Sequence, residues 1–82
     1  MLNLQRVTMF IAVVDAGSFT LAAAALGQTK AVVSFNVRQL ENELGVTLLL
    51  RSTRRLRLTD AGTLFYQRGV ALLKAAENLQ DE

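Results

Sequence analysis

The chain has 82 residues, 51% of them apolar, carries a net charge of +2, and contains no cysteine, histidine, tryptophan or proline. That length suits one compact domain with a thin stability margin, and the apolar fraction argues for a folded core and against disorder. Without cysteine there is no disulfide framework or thiolate, and without histidine the usual neutral-pH base and the commonest metal ligand are missing.

Leu4, Val7, Ile11 and Val14 recur at three- and four-residue steps, with Phe10 beside them, and predict a first helix over about Leu4 to Asp15. Gly17 stands just past its end. The apolar run Met9 to Val14 stops at Asp15, too short for a membrane span and without the cleavage site of a secretory signal. The expectation is a soluble intracellular chain.

Ser18 suits the N-cap of a second helix, Phe19 to Leu26, whose inner face is Phe19, Ala22, Ala23 and Leu26. Gly27 and Gln28 supply a tight turn. Thr29 then caps a third helix reaching Leu44, with Val33, Val37, Leu40 and Leu44 as its buried stripe. The other side of that helix gathers Lys30, Ala31, Ser34, Phe35 and Arg38, and no acid precedes Glu41. Short, polar first turns at a helix N-terminus fit entry into a DNA groove. Glu41 and Glu43 face different ways and so form no paired acid/base site; Glu41 is expected to pair with Arg38 or another nearby base.

Beyond Gly45 the rhythm falls to two. Leu56 and Leu58 alternate with Arg55 and Arg57, predicting a strand whose partner is about Leu48 to Arg51, with Ser52 and Thr53 near the turn and the arginines outward. Arg51, Arg54, Arg55 and Arg57 form an acid-free cluster, while the rest of the chain has five basic and seven acidic residues. Such a directed field suits a polyanion, although a solvated hairpin would look the same. Thr59 or Asp60 opens a last helix to about Gln80, where Phe65, Leu72 and Leu79 repeat at seven, with Gly69 and Ala76 between. That stripe predicts a dimer interface, the alternative being packing on the chain's own first helix.

The inventory argues against an enzyme. No phosphate-cradling glycine loop exists, and a serine or threonine nucleophile would find only lysine or carboxylates as its base. No cofactor or metal is expected. A module whose basic wing meets an acidic protein is the rival to DNA binding.

The strings GSFTLAAAALG (Gly17 to Gly27) and SFNVRQLENELGVTLLLRSTRRLRLTDAG (Ser34 to Gly62), with the helical tail, resemble the N-terminal DNA-binding domain of LysR-type transcriptional regulators over essentially the whole chain. The resemblance implies a mainly α winged helix-turn-helix: a three-helix core, a short β-hairpin wing and a long C-terminal linker helix. The division would be residues 1–58 for DNA binding and 59–82 for the linker and dimerisation helix. It also implies sequence-specific binding of double-stranded DNA at dyad-symmetric sites by a homodimer, as activator or repressor, in the bacterial cytoplasm. A small-molecule effector would act only through a C-terminal domain absent from this sequence, as in an isolated domain. The recognition-helix positions are Thr29, Lys30, Ala31, Ser34 and Phe35. Only Ser34 is the usual family residue, and arginine is common where Phe35 stands. Phe35 cannot hydrogen-bond a base edge, which leaves a thymine methyl contact or packing at the helix flank. Arg54 or Arg55 matches the residue approaching the minor groove, and Arg51 the arginine before the wing turn. Arg38, Arg51, Arg54, Arg55 and Arg57 are the expected phosphate or minor-groove contacts, and Phe65, Gly69, Leu72, Ala76 and Leu79 the expected dimer interface.

Overall fold

A computed structural model describes residues 2–52 and 55–81. Four helices and one hairpin follow in the order α1 (Leu4–Ala16), α2 (Phe19–Leu26), α3 (Lys30–Leu44), β1 (Leu49–Arg51), β2 (Leu56–Leu58) and α4 (Asp60–Asp81). Local chemistry sets the helix boundaries. Asn3 accepts from the Gln5 and Arg6 amides, Ser18 Oγ from Leu21 N at 3.0 Å, and Thr29 Oγ1 from Val32 N at 3.2 Å, so each start satisfies amides that lack an intrahelical partner. Thr59 Oγ1 accepts from Gly62 N at 2.9 Å and donates to Thr47 O at 2.6 Å, which ties the start of α4 to the entry of the wing.

The α2–α3 turn depends on Gly27, at φ 67° and ψ 31°. There Gly27 N donates to Ala24 O and Gln28 N to Ala23 O, closing α2 in a left-handed reversal that a side chain would strain.

The core is built around α1, which packs against α2, α3 and α4. It therefore buries more than one face: Val7, Met9, Phe10, Ile11 and Val13. The predicted α1 stripe is corrected on this point. Leu4 in the first turn is 46% exposed and Val14 half-buried, because Phe10 and Val13 face the centre instead. From α2 come Phe19, Ala22 and Ala23; from α3 Val33, Val37 and Leu40; from the wing Leu48 and Leu49. Leu26 and Leu44 are half-buried at the margin, and the Leu21 side chain of α2 is exposed.

The strands pair antiparallel with Leu49 opposite Leu58, Leu50 opposite Arg57 and Arg51 opposite Leu56. Leu49 and Arg51 thus share the inner face, while Leu50 and Arg57 point outward. Gly62 lies where α4 meets the wing: a Cβ there would sit 2.1 Å from the Leu48 carbonyl oxygen, so only glycine allows the approach.

On α4, Phe65 and Gly69 pack on the chain's own first helix, Gly69 buried and Phe65 half-buried. The Phe65 ring stands edge-on to Phe10 with centroids 5.7 Å apart. Gly69 is buried, and a Cβ on it would come within 3.1 Å of Ile11 and 3.3 Å of Val7. The stripe begins where α4 lies on α1, so its first half completes the core. Tyr66 adds a hydrogen bond from its hydroxyl to Asp15 Oδ1 at 2.5 Å. From Ala71 to Gln80 only Leu73 is not exposed, and Leu72, Ala76 and Leu79 lie on this projecting half.

Candidate nucleic-acid interface

The exposed side of α3 carries Lys30, Ala31, Val32, Phe35 and Arg38. At 3.6 residues per turn, Phe35 lies roughly opposite the Val33, Val37 and Leu40 stripe. It is 56% exposed, which removes packing at the helix flank as its role. Thr29 is exposed at the N-cap with its Oγ1 already engaged by Val32 N.

Arg55 and Arg57 are exposed on the wing. Ser52 clips the turn between the strands, donating through Oγ to Arg55 O at 2.9 Å and accepting from Arg55 N at 3.0 Å. Arg54 lies outside the described residues. Between the wing and the starts of α2 and α3 runs a groove of about 390 Å³, lined among others by Ser18, Lys30, Ser34, Arg51 and Arg55. Two helix N-termini and several cations thus border one concavity, a setting that favours anions.

Arg51 corrects the expectation of an outward arginine. Its side chain is only 22% exposed. The guanidinium lies 4.5 Å above the Phe19 ring, and Nη1 donates to Ser34 Oγ at 2.7 Å. Nη2 is buried, 4.0 Å from Glu41 Oε1, close enough for an ion pair but too far for a hydrogen bond. Burial holds the Arg51 pKa below its ordinary value; Arg38 adds to the lowering and Glu41 opposes it. The residue braces the wing against α3. Because guanidinium has no acceptor, Ser34 must accept here, and its own proton stays free to donate.

Glu41 plays a part that the sequence reading missed. Its Oε2 accepts from Leu48 N at 2.7 Å and Leu49 N at 3.2 Å, serving the first amides of the wing. The only advance signal was a carboxylate seven residues ahead of a strand. Arg6 is likewise committed elsewhere, bonded to Asn36 Oδ1 at 3.2 Å and ion-paired with Glu43.

A helix-turn-helix with its second helix bared, flanked by a cationic two-stranded wing, defines a winged helix-turn-helix DNA-binding domain. The BenM DBD/catB site 1 DNA complex contains a chain that is 35% identical, with a TM-score of 0.93 over 96% of this chain and 85% of that one. The CbnR DBD–DNA complex gives 34% identity and a TM-score of 0.92, covering 96% and 91%. The family profile described as "Bacterial regulatory helix-turn-helix protein, lysR family" matches residues 4–63. The chain belongs to this LysR family.

Similar curated relatives are transcriptional regulators. The probable HTH-type transcriptional regulator LtrA of Klebsiella pneumoniae is 44% identical over 78 residues, 95% of this chain and 25% of the relative. The HTH-type transcriptional regulator PtxR of Pseudomonas aeruginosa is 50% identical over 70 residues, 85% and 22% respectively. The chain therefore spans about a quarter of the length of the curated relatives it matches. Among the described residues no helix is long and apolar enough to cross a membrane.

Proposed function

We propose that the chain recognises specific double-stranded DNA sequences for a transcriptional activator or repressor, acting in the cytoplasm and catalysing no reaction itself. Thr29, Lys30, Ala31, Ser34 and Phe35 face the major groove. Arg38, Arg55 and Arg57 contact phosphate or the minor groove, together with Arg54, while Arg51 acts through the brace it makes with Ser34. Residues 1–58 form the reading unit. Residues 59–82 link it onward, and the projecting half of α4, with Leu72, Ala76 and Leu79, joins two copies on dyad-symmetric sites.

The observation that carries the reading is the bared face of α3 beside the cationic wing, in a chain that superimposes on LysR-family domains bound to DNA. Selection of bound duplexes from a random pool tests it. The expected result is an enriched motif with two inverted half-sites, bound with steep salt dependence. A pool that emerges without enrichment would refute sequence-specific binding, and an enriched motif without inverted symmetry would refute the paired arrangement.

A further inference from the structure

We infer that Phe35, with Ala31 one turn before it, reads thymine methyl groups in the major groove. The inference rests on the DNA-binding reading above and names what part of that face recognises. Phe35 is the one aromatic side chain of α3, is 56% exposed, and belongs to no part of the core. A domain with so small a core keeps no aromatic bared on its outermost face for packing within the chain. The surroundings decide what covers it. Lys30 and Arg38 stand on the same face of α3, Arg55 and Arg57 on the adjoining wing, and all four are exposed. An apolar protein partner would have to desolvate these charges, whereas a duplex pairs them with phosphate while presenting its groove floor to the residues between them.

On that floor, the edges of the bases are donors and acceptors with one exception, the methyl group of thymine. A phenyl ring offers nothing to a donor or acceptor and matches the exception. Ala31, also exposed and on the same ridge four residues earlier, adds a second small apolar surface and leaves room for the base edge to approach. Ser34, held as an acceptor by Arg51, keeps a proton for a neighbouring base acceptor. The face therefore combines an apolar reader with polar ones and selects half-sites containing thymine at the step beneath Phe35.

The test uses the duplex that the chain selects, with each thymine replaced singly by deoxyuridine, which lacks only the methyl group. The wild-type chain is expected to bind about fourfold more weakly at one or two positions in each half-site, the worth of one buried methyl. Phe35→Ala should bind the thymine duplex more weakly and show no difference between thymine and uracil at those positions. Its melting temperature should equal that of the wild type; a large drop would assign the ring to packing and overturn the inference. Indifference of the wild type to every replacement, or an undiminished thymine preference in Phe35→Ala, would also overturn it while leaving DNA binding intact. Failure to bind any duplex would instead sink the underlying reading, and this inference with it.

Discussion

Replacing Glu41 should loosen the wing from the helical core, and the structure sizes the effect. One carboxylate oxygen accepts from the amides of Leu48 and Leu49, and these residues are buried. Hydrogen bonds to a charged acceptor are worth ~1.5–3 kcal/mol each, and a buried donor left without a partner costs ~1–3 kcal/mol. The carboxylate is partly open to solvent, with 15% of the side chain exposed, so water recovers part of the loss. Glu41→Ala should then cost about 3 kcal/mol, a large share of the ~4–12 kcal/mol available to a domain of this size. At ~4–8 °C per kcal/mol, its melting temperature should fall by ~12–24 °C. Glu41→Gln keeps one oxygen that can accept from both amides but loses the charge, and should cost ~1 kcal/mol. Urea unfolding followed by circular dichroism measures both, provided the slope with denaturant is unchanged. An alanine variant within ~0.5 kcal/mol of the wild type would refute the reasoning. So would a glutamine variant as unstable as the alanine one.

Arg57 points outward beside Arg55, so Arg57→Ala should flatten the slope of log affinity against log salt by about 0.9 while leaving the melting temperature in place. Arg51→Ala, removing the contacts to Ser34 and Phe19, should lower the melting temperature instead. Salt titrations and melting curves of the two variants decide between contact and brace. Gly62→Ala places a Cβ 2.1 Å from the Leu48 oxygen and should destabilise by about 3 kcal/mol or more, seen in the same urea experiment. The Tyr66 hydroxyl donates to Asp15, and this hydrogen bond, with burial and the Asp15 charge as smaller causes, raises the phenol pKa above its ordinary value. The protonated form is thus the one that folding favours. Its stabilisation is complete below the unfolded phenol pKa of about 10 and disappears as pH rises through the higher folded value. Melting curves of the wild type and Tyr66→Phe should therefore converge in strong alkali after differing at neutral pH, and a constant gap would refute the assignment.

The helices were legible because their punctuation is local. Ser18 and Thr29 cap from within three residues, and Gly27 marks its own reversal. The wing was legible as a hairpin from the alternation of Leu56, Arg57 and Leu58, but the orientation of Arg51 was not. It follows three successive leucines, Leu48, Leu49 and Leu50, which supply no two-residue rhythm to say which one faces inward. Only the pairing of Leu49 with Leu58 fixes the parity. The role of Glu41 needed the wing folded back onto α3, which no local pattern encodes. Phe65 and Gly69 show a different ambiguity: a heptad stripe looks the same whether its partner is α1 or a second copy, and only the folded chain shows Phe65 against Phe10. The bared face of α3 was readable as a set of residues, whereas the commitment of Ser34 to Arg51 was not.

The seating of α4 has a mechanical consequence. Gly69 is clamped by Val7 and Ile11, and Phe65 and Tyr66 are fastened to α1 just before it. From that fulcrum to Asp81 the helix extends ~18 Å, so a tilt of 10° at the clamp moves the far end by about 3 Å. A cavity of one methyl group opened or filled beneath the fulcrum would be magnified at the tip. The position of the far end of α4 is therefore set by three residues, Phe65, Tyr66 and Gly69, seated on the first helix.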